Sequence, residues 1–596
     1  MCGISGELRF DGRFARPEVV SRMTDALASR GPDGAGLWAS GPVALGHRRL
    51  AIIDLSVRGA QPMVDTELGL VIVFNGCIYN YRELRRQLEG SGYRFFSTSD
   101  TEVILKGYHC WGEGFVHRLA GMFAFCIVER DSGRAVLVRD RLGVKPLYLT
   151  RHGNALRFAS TLPALVVTGG DVDCSIDPVA LHHYLSFHAV VPAPRTILRG
   201  VRKLAPATML VVEPDGRERE VRYWQPAHDD VAPVRTDDEW REEVARALRL
   251  AVERRTVADV PVGVLLSGGL DSSLIVGLLR EHGQDRLSTF SIGFETIGDE
   301  EGDEYRYSDV VARHFDTDHH KIHVPTDRVL SALEPTVAAM SEPMVSHDVV
   351  AFYLLSQEVS RHMKVVQSGQ GADEVFAGYH WYQTLAPATG DGVDDYAAVF
   401  FDRDHAAVAE VVNPEYLAAD DVSRAFVAGH FAAPGVTTPL ERALRIDAHV
   451  MLVDDPVKRV DNTSMAWGLE ARVPFLDHEL VELAAACPSA LKLAHGGKGI
   501  LKDVARDVLP DEVIDRPKGY FPVPPLIHLE GPYVDLLRDA LHSPAAKERA
   551  LFRPEHVQHV IDHPNELTTL RYNKLWELGL LELWLQIQGI PVDGPA

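Results

Sequence analysis

The chain has 596 residues, 46% of them hydrophobic and 24% charged, enough for several packed cores in an ordinary globular protein. Its 84 Asp and Glu outweigh 61 Lys and Arg, and a net charge of −23 disfavours nucleic acid or an anionic membrane as the main partner, leaving a small molecule. No apolar run could span a bilayer, the first residues lack the basic and hydrophobic regions of a signal peptide, and the six cysteines form no CxxC pair. A cytoplasmic protein without a disulfide framework is expected.

Near its start the chain carries Cys2 followed by Gly3. Removal of Met1 would leave a thiol and a free α-amine on one residue. That amine, with a pKa of about 8, can take the thiol proton directly or through water, so Cys2 would combine nucleophile and base. Next come Arg30-Gly31-Pro32-Asp33-Gly34, then Gly46-His47-Arg48-Arg49-Leu50 running into Ala51-Ile52-Ile53-Asp54. Residues 71–74 end at Asn75-Gly76-Cys77-Ile78-Tyr79-Asn80, and Ser99-Asp100-Thr101-Glu102 follows. Each alone reads as turn chemistry between short strands. Residues 119–128 and 136–148 read as sheet core, with Arg139, Asp140 and Arg141 as a structural ion cluster near a domain interface. Over residues 224–238, prolines and acids replace hydrophobic periodicity, which predicts a linker between domains at 1–223 and 239–596.

Residues 262–266 suit a buried strand and pass directly into Ser267-Gly268-Gly269 and a helical pattern from Asp271. Adjacent glycines let successive N–H groups point inward, and a helix N-terminus adds about half a positive charge, so the concavity suits a phosphate chain. The Gly-Lys-Ser/Thr ending of the kinase-type phosphate loop is missing. Asp271 stands there instead, and a carboxylate beside phosphates calls for a divalent cation between them. Residues 287–294 read as a second parallel strand, and 364–374 as a third that ends in another glycine turn with acids. This alternation predicts a doubly wound parallel sheet with ligands at the carboxyl ends of its strands, where Asp271 and Asp373 could share Mg²⁺. Asp373 alone would also read as a helix N-cap. Residues 458–477 interleave charged and apolar side chains, as the buried wall of a polar cleft would. In Arg516-Pro517-Lys518-Gly519, Pro517 fixes the backbone before Lys518, which could present a positive charge to a departing pyrophosphate.

SGGLDSS, residues 267–273, resembles the pyrophosphate loop of the ATP-pyrophosphatase superfamily, whose members adenylate a substrate. The N-terminal cysteine with RGPDG, GHRRL, NGCIYN and SDTE resembles the class II glutamine amidotransferases. With SGQGADEVFAGY, EARVPFLD and RPKG in order, nearly the whole chain resembles glutamine-dependent asparagine synthetase. The resemblance implies an α/β protein: an N-terminal-nucleophile-type α+β sandwich followed by a doubly wound ATP-pyrophosphatase domain. It implies that Cys2 attacks the glutamine amide, that Asn75 and the Gly76 N–H form the oxyanion hole, and that Arg49 and Asp100 hold the α-carboxylate and α-ammonium. It assigns ATP to Leu266, Ser267, Gly268, Gly269, Asp271, Ser272, Ser273, Ile292, Ser368 and Gly369, and Mg²⁺ to Asp271 and Asp373. Lys518 would stabilise the adenylation transition state. Ammonia would pass through an interdomain tunnel to an acyl-adenylate shielded from water.

Two positions depart from the family pattern. Cys77 stands where the family has Glu, so Asp100 would hold the glutamine ammonium alone, with weaker binding or a rearranged pocket. Gln370 stands where asparagine synthetases carry Glu, which changes charge and proton handling and argues against aspartate as acceptor. GELRFDG, NGCIYNY and SGQGADEVFAGYHWY look most like the N-acetylglutaminylglutamine amidotransferase branch, in which Gln370 would orient the acceptor or the ammonia. Asparagine synthesis is the second reading, and a non-catalytic nucleotide and glutamine sensor is the reading from another class. The expected partners are glutamine, ATP with Mg²⁺ and a small carboxylate acceptor, with a homodimer as a candidate assembly.

Overall fold

A computed structural model describes residues 2–226, 235–295, 302–517, 519 and 523–592. Period-two patterning builds its first half. In the strand Leu70–Ile78, Val71 and Val73 point to one core while Ile72 and Phe74 point to another. Two six-stranded sheets with antiparallel pairings therefore bury one face against each other and the other under helices. Ile4, Leu45, Val73 and Phe158 fill the space between them. The helix Pro17–Ala26 covers one outer face through Val20 and Met23, and Asp100–Trp111 covers the other through Ile104 and Leu105. Gly3–Arg9 is central in its sheet, flanked by Ala155–Ala159 and Val43–Arg49, so Cys2 enters the interior at once.

The second half carries a five-stranded parallel sheet in the order Asp318–Val324, Ser288–Phe294, Val262–Leu265, Val365–Gln367, Glu470–Arg472. Strand order reverses between Val262–Leu265 and Val365–Gln367, and a doubly wound sheet opens its ligand crevice at such a point. Both glycine turns leave the sheet there. The strand expected over 364–374 is only Val365–Gln367, and Asp373 lies inside the short helix Ala372–Val375, whose N-cap is Gly371.

The expected linker is described only at its ends, and one other sequence expectation needs correction. Of the expected linker, residues 227–234 lie outside the described residues, and both ends are structured. The Trp224 indole donates to Glu482 Oε1 at 2.5 Å, while Asp237 and Asp238 open the helix Asp237–Arg254, capped by Thr236 and Glu239 in a reciprocal box. Arg139, Asp140 and Arg141 are not an ion cluster. Arg139 donates to the carbonyls of Gly143, Lys145 and Leu204, Arg141 to those of His117 and Leu119, and Asp140 accepts the amides of Phe123, Leu142, Val144 and Lys145. These charges satisfy the buried backbone of a tight turn.

The ion pairs that join the two halves lie elsewhere. Asp461 receives Arg30 Nη1 at 2.8 Å and Lys145 Nζ at 3.1 Å, and Lys203 Nζ reaches Asp454 at 2.7 Å and Glu342 at 3.0 Å. All six side chains are buried, with the cations from the first half and the acids from the second. Among the described residues no helix is long and apolar enough to cross a membrane. Asp461→Asn would leave two buried cations without their carboxylate. It is expected to cost about 3–5 kcal/mol of unfolding free energy in a denaturant titration, and a loss under about 1 kcal/mol would exclude this pair as the lock.

Candidate functional sites

Two sites stand out in this arrangement. In the first, Cys2 is buried and its backbone N–H donates to Asn75 Oδ1 at 2.9 Å. Asn75 and Cys77 share the inward face of Leu70–Ile78 with Val71 and Val73, so strand periodicity aims both at the cysteine. Asn75 Nδ2 is buried and has no hydrogen-bond partner among the described residues. Such a donor is costly unless something else receives it. Position 76 admits only glycine, since a Cβ there would sit 2.2 Å from the Met122 carbonyl oxygen.

Cys2, Arg49, Gly76 and Asp100 line one cavity of 30 Å³, room for water and not for an amino acid. A short loop closes it: Arg49 donates to Ser56 O at 2.8 Å and to Asp54 O. Asp100 opens its helix and accepts the Ile78 N–H at 3.0 Å, and burial pushes its pKa up to about 6. Burial likewise lifts the Cys2 thiol above its ordinary range, although the amino-terminal charge opposes this.

The same cavity holds two residues that sequence reasoning did not assign to it, Glu470 and Arg472. They come from the edge strand of the parallel sheet, where the two-residue spacing puts both on one face. Arg472 Nε donates to Glu470 Oε1 at 2.6 Å and its Nη2 faces Cys77 Sγ at 3.7 Å. Burial alone would raise the Glu470 pKa. The amino-terminal charge and Arg472 outweigh it and hold the group at about 2. Cys77 does not leave Asp100 as the pocket's sole acid, because a carboxylate from the other half of the chain lines it too.

The second site is a cleft of 340 Å³ at the switch point of the parallel sheet. Leu266, Ser267, Gly269, Asp271, Ser272, Ile292, Ser368, Gly369, Gln370 and Asp373 line it. Gly268 and Ser273 do not: Gly268 backs onto Ser308 of the helix Tyr305–Phe315, and Ser273 is fully buried in Leu270–Glu281. Lys518 lies outside the described residues. One cation that stands in the cleft was missed in the sequence. Lys498 Nζ bridges Asp271 Oδ2 at 2.6 Å and Asp373 Oδ2 at 2.9 Å, and although burial disfavours its charge, the two carboxylates raise its pKa. Its only sequence signal was the glycine-rich setting Gly496-Gly497-Lys498-Gly499, which lets the chain turn with Lys498 at φ +55°.

Two carboxylates that share one ammonium lie close enough to share one cation, and their hard oxygens suit Mg²⁺. Among the described residues no group of three or more His, Cys, Asp or Glu could hold a metal. A pair of acids completed by phosphate oxygens fits Mg²⁺ better than a metal caged by protein alone. A separate narrow crevice is lined by Tyr79, Met122, Leu476 and Val473 together with Arg141 and Asp477. Leu476 fills the space that a Cβ on Gly371, beside Gln370, would occupy.

Residues 1–224 match the family described as glutamine amidotransferase domain, and residues 243–586 match asparagine synthase. Asparagine synthetase [glutamine-hydrolyzing] 1 of Bacillus subtilis is 30% identical over 96% of this chain and 94% of its own length. Asparagine synthetase [glutamine-hydrolyzing] 3 of the same organism is 31% identical over 88% of this chain and 87% of its own. Amidase chry2 of Gibberella zeae is 27% identical over 87% of this chain and 88% of its own. Two matched domains in this order, and relatives aligned almost end to end, make the chain a member of the glutamine-hydrolysing asparagine synthetase family, an amidotransferase ligase.

Proposed function

We propose that this ligase amidates a small acylated acceptor, N-acetylglutaminylglutamine, with ammonia taken from glutamine. One observation supports the choice of acceptor: ion pairs occupy the cleft that Gln370 lines. Arg459 meets Asp348 at 2.5 Å, Arg516 meets Glu304 at 2.6 Å, and Lys498 is held by Asp271 and Asp373. Aspartate brings an α-ammonium and an α-carboxylate, which would have to break such pairs. An acylated dipeptide brings amides, and the neutral Gln370 side chain can both donate to and accept from them. The names of the relatives favour asparagine synthesis as the second reading.

In the first step the Cys2 sulfur attacks the glutamine side-chain carbonyl. The raised thiol pKa makes an unaided thiolate scarce, which supports the α-amine of Cys2, freed by loss of Met1, as the group that takes its proton. Asn75 Nδ2 and the Gly76 N–H would receive the developing oxyanion, a role the partnerless amide of Asn75 supports. Arg49 would take the α-carboxylate and Asp100, with Glu470 nearby, the α-ammonium. Ammonia leaves, and water hydrolyses the thioester to glutamate. At the cleft the acceptor carboxylate attacks the α-phosphorus of ATP and pyrophosphate departs. Ammonia then displaces AMP from the acyl group. Lys498, and Lys518 as expected from its loop, would offset negative charge on the phosphates. Mg²⁺ held by Asp271 and Asp373 would supply charge neutralisation at the triphosphate.

Cys2→Ala is expected to abolish glutamine use while synthesis from added ammonium salt persists; equal loss of both would contradict separate sites. Asp271→Asn should remove pyrophosphate release and leave glutamine hydrolysis intact. Asp100 is charged above about pH 6 and neutral below it, so kcat/KM for glutamine should fall by about tenfold per unit as pH drops below that value. Asp100→Asn should be low and lack this limb. An acceptor screen with mass-spectrometric detection decides the substrate: amidated aspartate with no amidated N-acetylglutaminylglutamine would overturn the proposal.

A further inference from the structure

The loop that closes the glutamine cavity is itself held by a residue of the other half of the chain. The Asp259 N–H donates to Ile52 O at 2.9 Å, and its carboxylate Oδ2 accepts the Asp54 N–H at 2.8 Å. This is a two-bond clamp on residues 52–54. Asp54 stands at φ +52°, and its own carboxylate accepts the N–H and hydroxyl of Ser56 and the Thr98 N–H. Its carbonyl, with that of Ser56, receives the Arg49 guanidinium. The loop's backbone therefore determines where Arg49 points, and Asp259 determines where that backbone lies. Asp259 is fixed in turn. Three residues on, the chain enters Val262–Leu265, the central strand that leads into Ser267, and just before it Arg472 Nη1 donates to Arg255 O and Val257 O at 2.8 Å each.

We propose that Asp259 is a positioning residue for glutamine binding: through residues 52–54 it sets the Arg49 guanidinium, so that the synthetase half governs the glutamine affinity of the other half. This rests on Arg49 receiving the substrate α-carboxylate, and it is independent of which acceptor is amidated. Asp259 is exposed, so its replacement removes the side-chain bond of the clamp without opening a core.

The experiment measures ammonia release from glutamine by the full chain. Asp259→Ala should raise KM for glutamine about fivefold with kcat within about twofold, the loss of one hydrogen bond to a charged acceptor. Asp259→Asn, whose amide oxygen still accepts the Asp54 N–H, should recover most of that loss. In an Arg49→Ala background the same change should add less than about twofold, because the two residues act in series. Affinity for Mg·ATP by calorimetry should be unchanged. An unaltered KM in Asp259→Ala, full additivity with Arg49→Ala, or a parallel fall in kcat and Mg·ATP affinity would overturn the proposal. Arg49→Ala measured alone separates the two readings: if it leaves KM unchanged, the role given to Arg49 fails, and the clamp's with it.

Discussion

Everything about this molecule depends on a small number of charges that never meet water. Asp461 holds Arg30 and Lys145 from the first half of the chain, while Asp454 and Glu342 hold Lys203. Such pairs add little net stability, since desolvation offsets most of their attraction, yet breaking one is expensive because its partner stays buried and charged. Their effect is therefore geometric. They allow one docking of the two halves, and that docking brings the edge strand Glu470–Arg472 against the cavity around Cys2.

Burial with selective compensation also sets the electrostatics of both sites. Asp100 and Glu470 line one cavity, yet one sits near 6 and the other near 2, because Asp100 is met mainly by backbone amides whereas Glu470 is met by Arg472 and the amino terminus. In the cleft Lys498 stands between Asp271 and Asp373, and its positive charge offsets the repulsion between the two acids.

The two departures from the family pattern have different physical consequences. At Cys77 the thiol is neutral and Arg472 faces it, while Glu470, from the parallel sheet, lines the same cavity. At Gln370 the side chain is neutral, and the cleft it lines also holds the pairs of Arg459 with Asp348 and of Arg516 with Glu304.

The two-domain α/β architecture was legible in the chain because local rules determine it: alternation of apolar residues makes the strands, and glycine pairs followed by a helical pattern make the phosphate-type loop. Cys2, Asn75, Gly76, Arg49 and Asp100 could be named because each sits in a short motif, as could most of the residues around Ser267 and Ser368. Gly268 and Ser273 belong to the same motif and do not line the cleft, since a motif tells which residues form a turn and not which of them face a cavity. Lys498, Glu470, Arg472 and Asp259 were not legible as site residues. Their partners lie hundreds of positions away or on the other half of the chain, and only the buried ionic docking of the two halves, with the closing of the parallel sheet, brings them to the cavity, the cleft and the loop they serve.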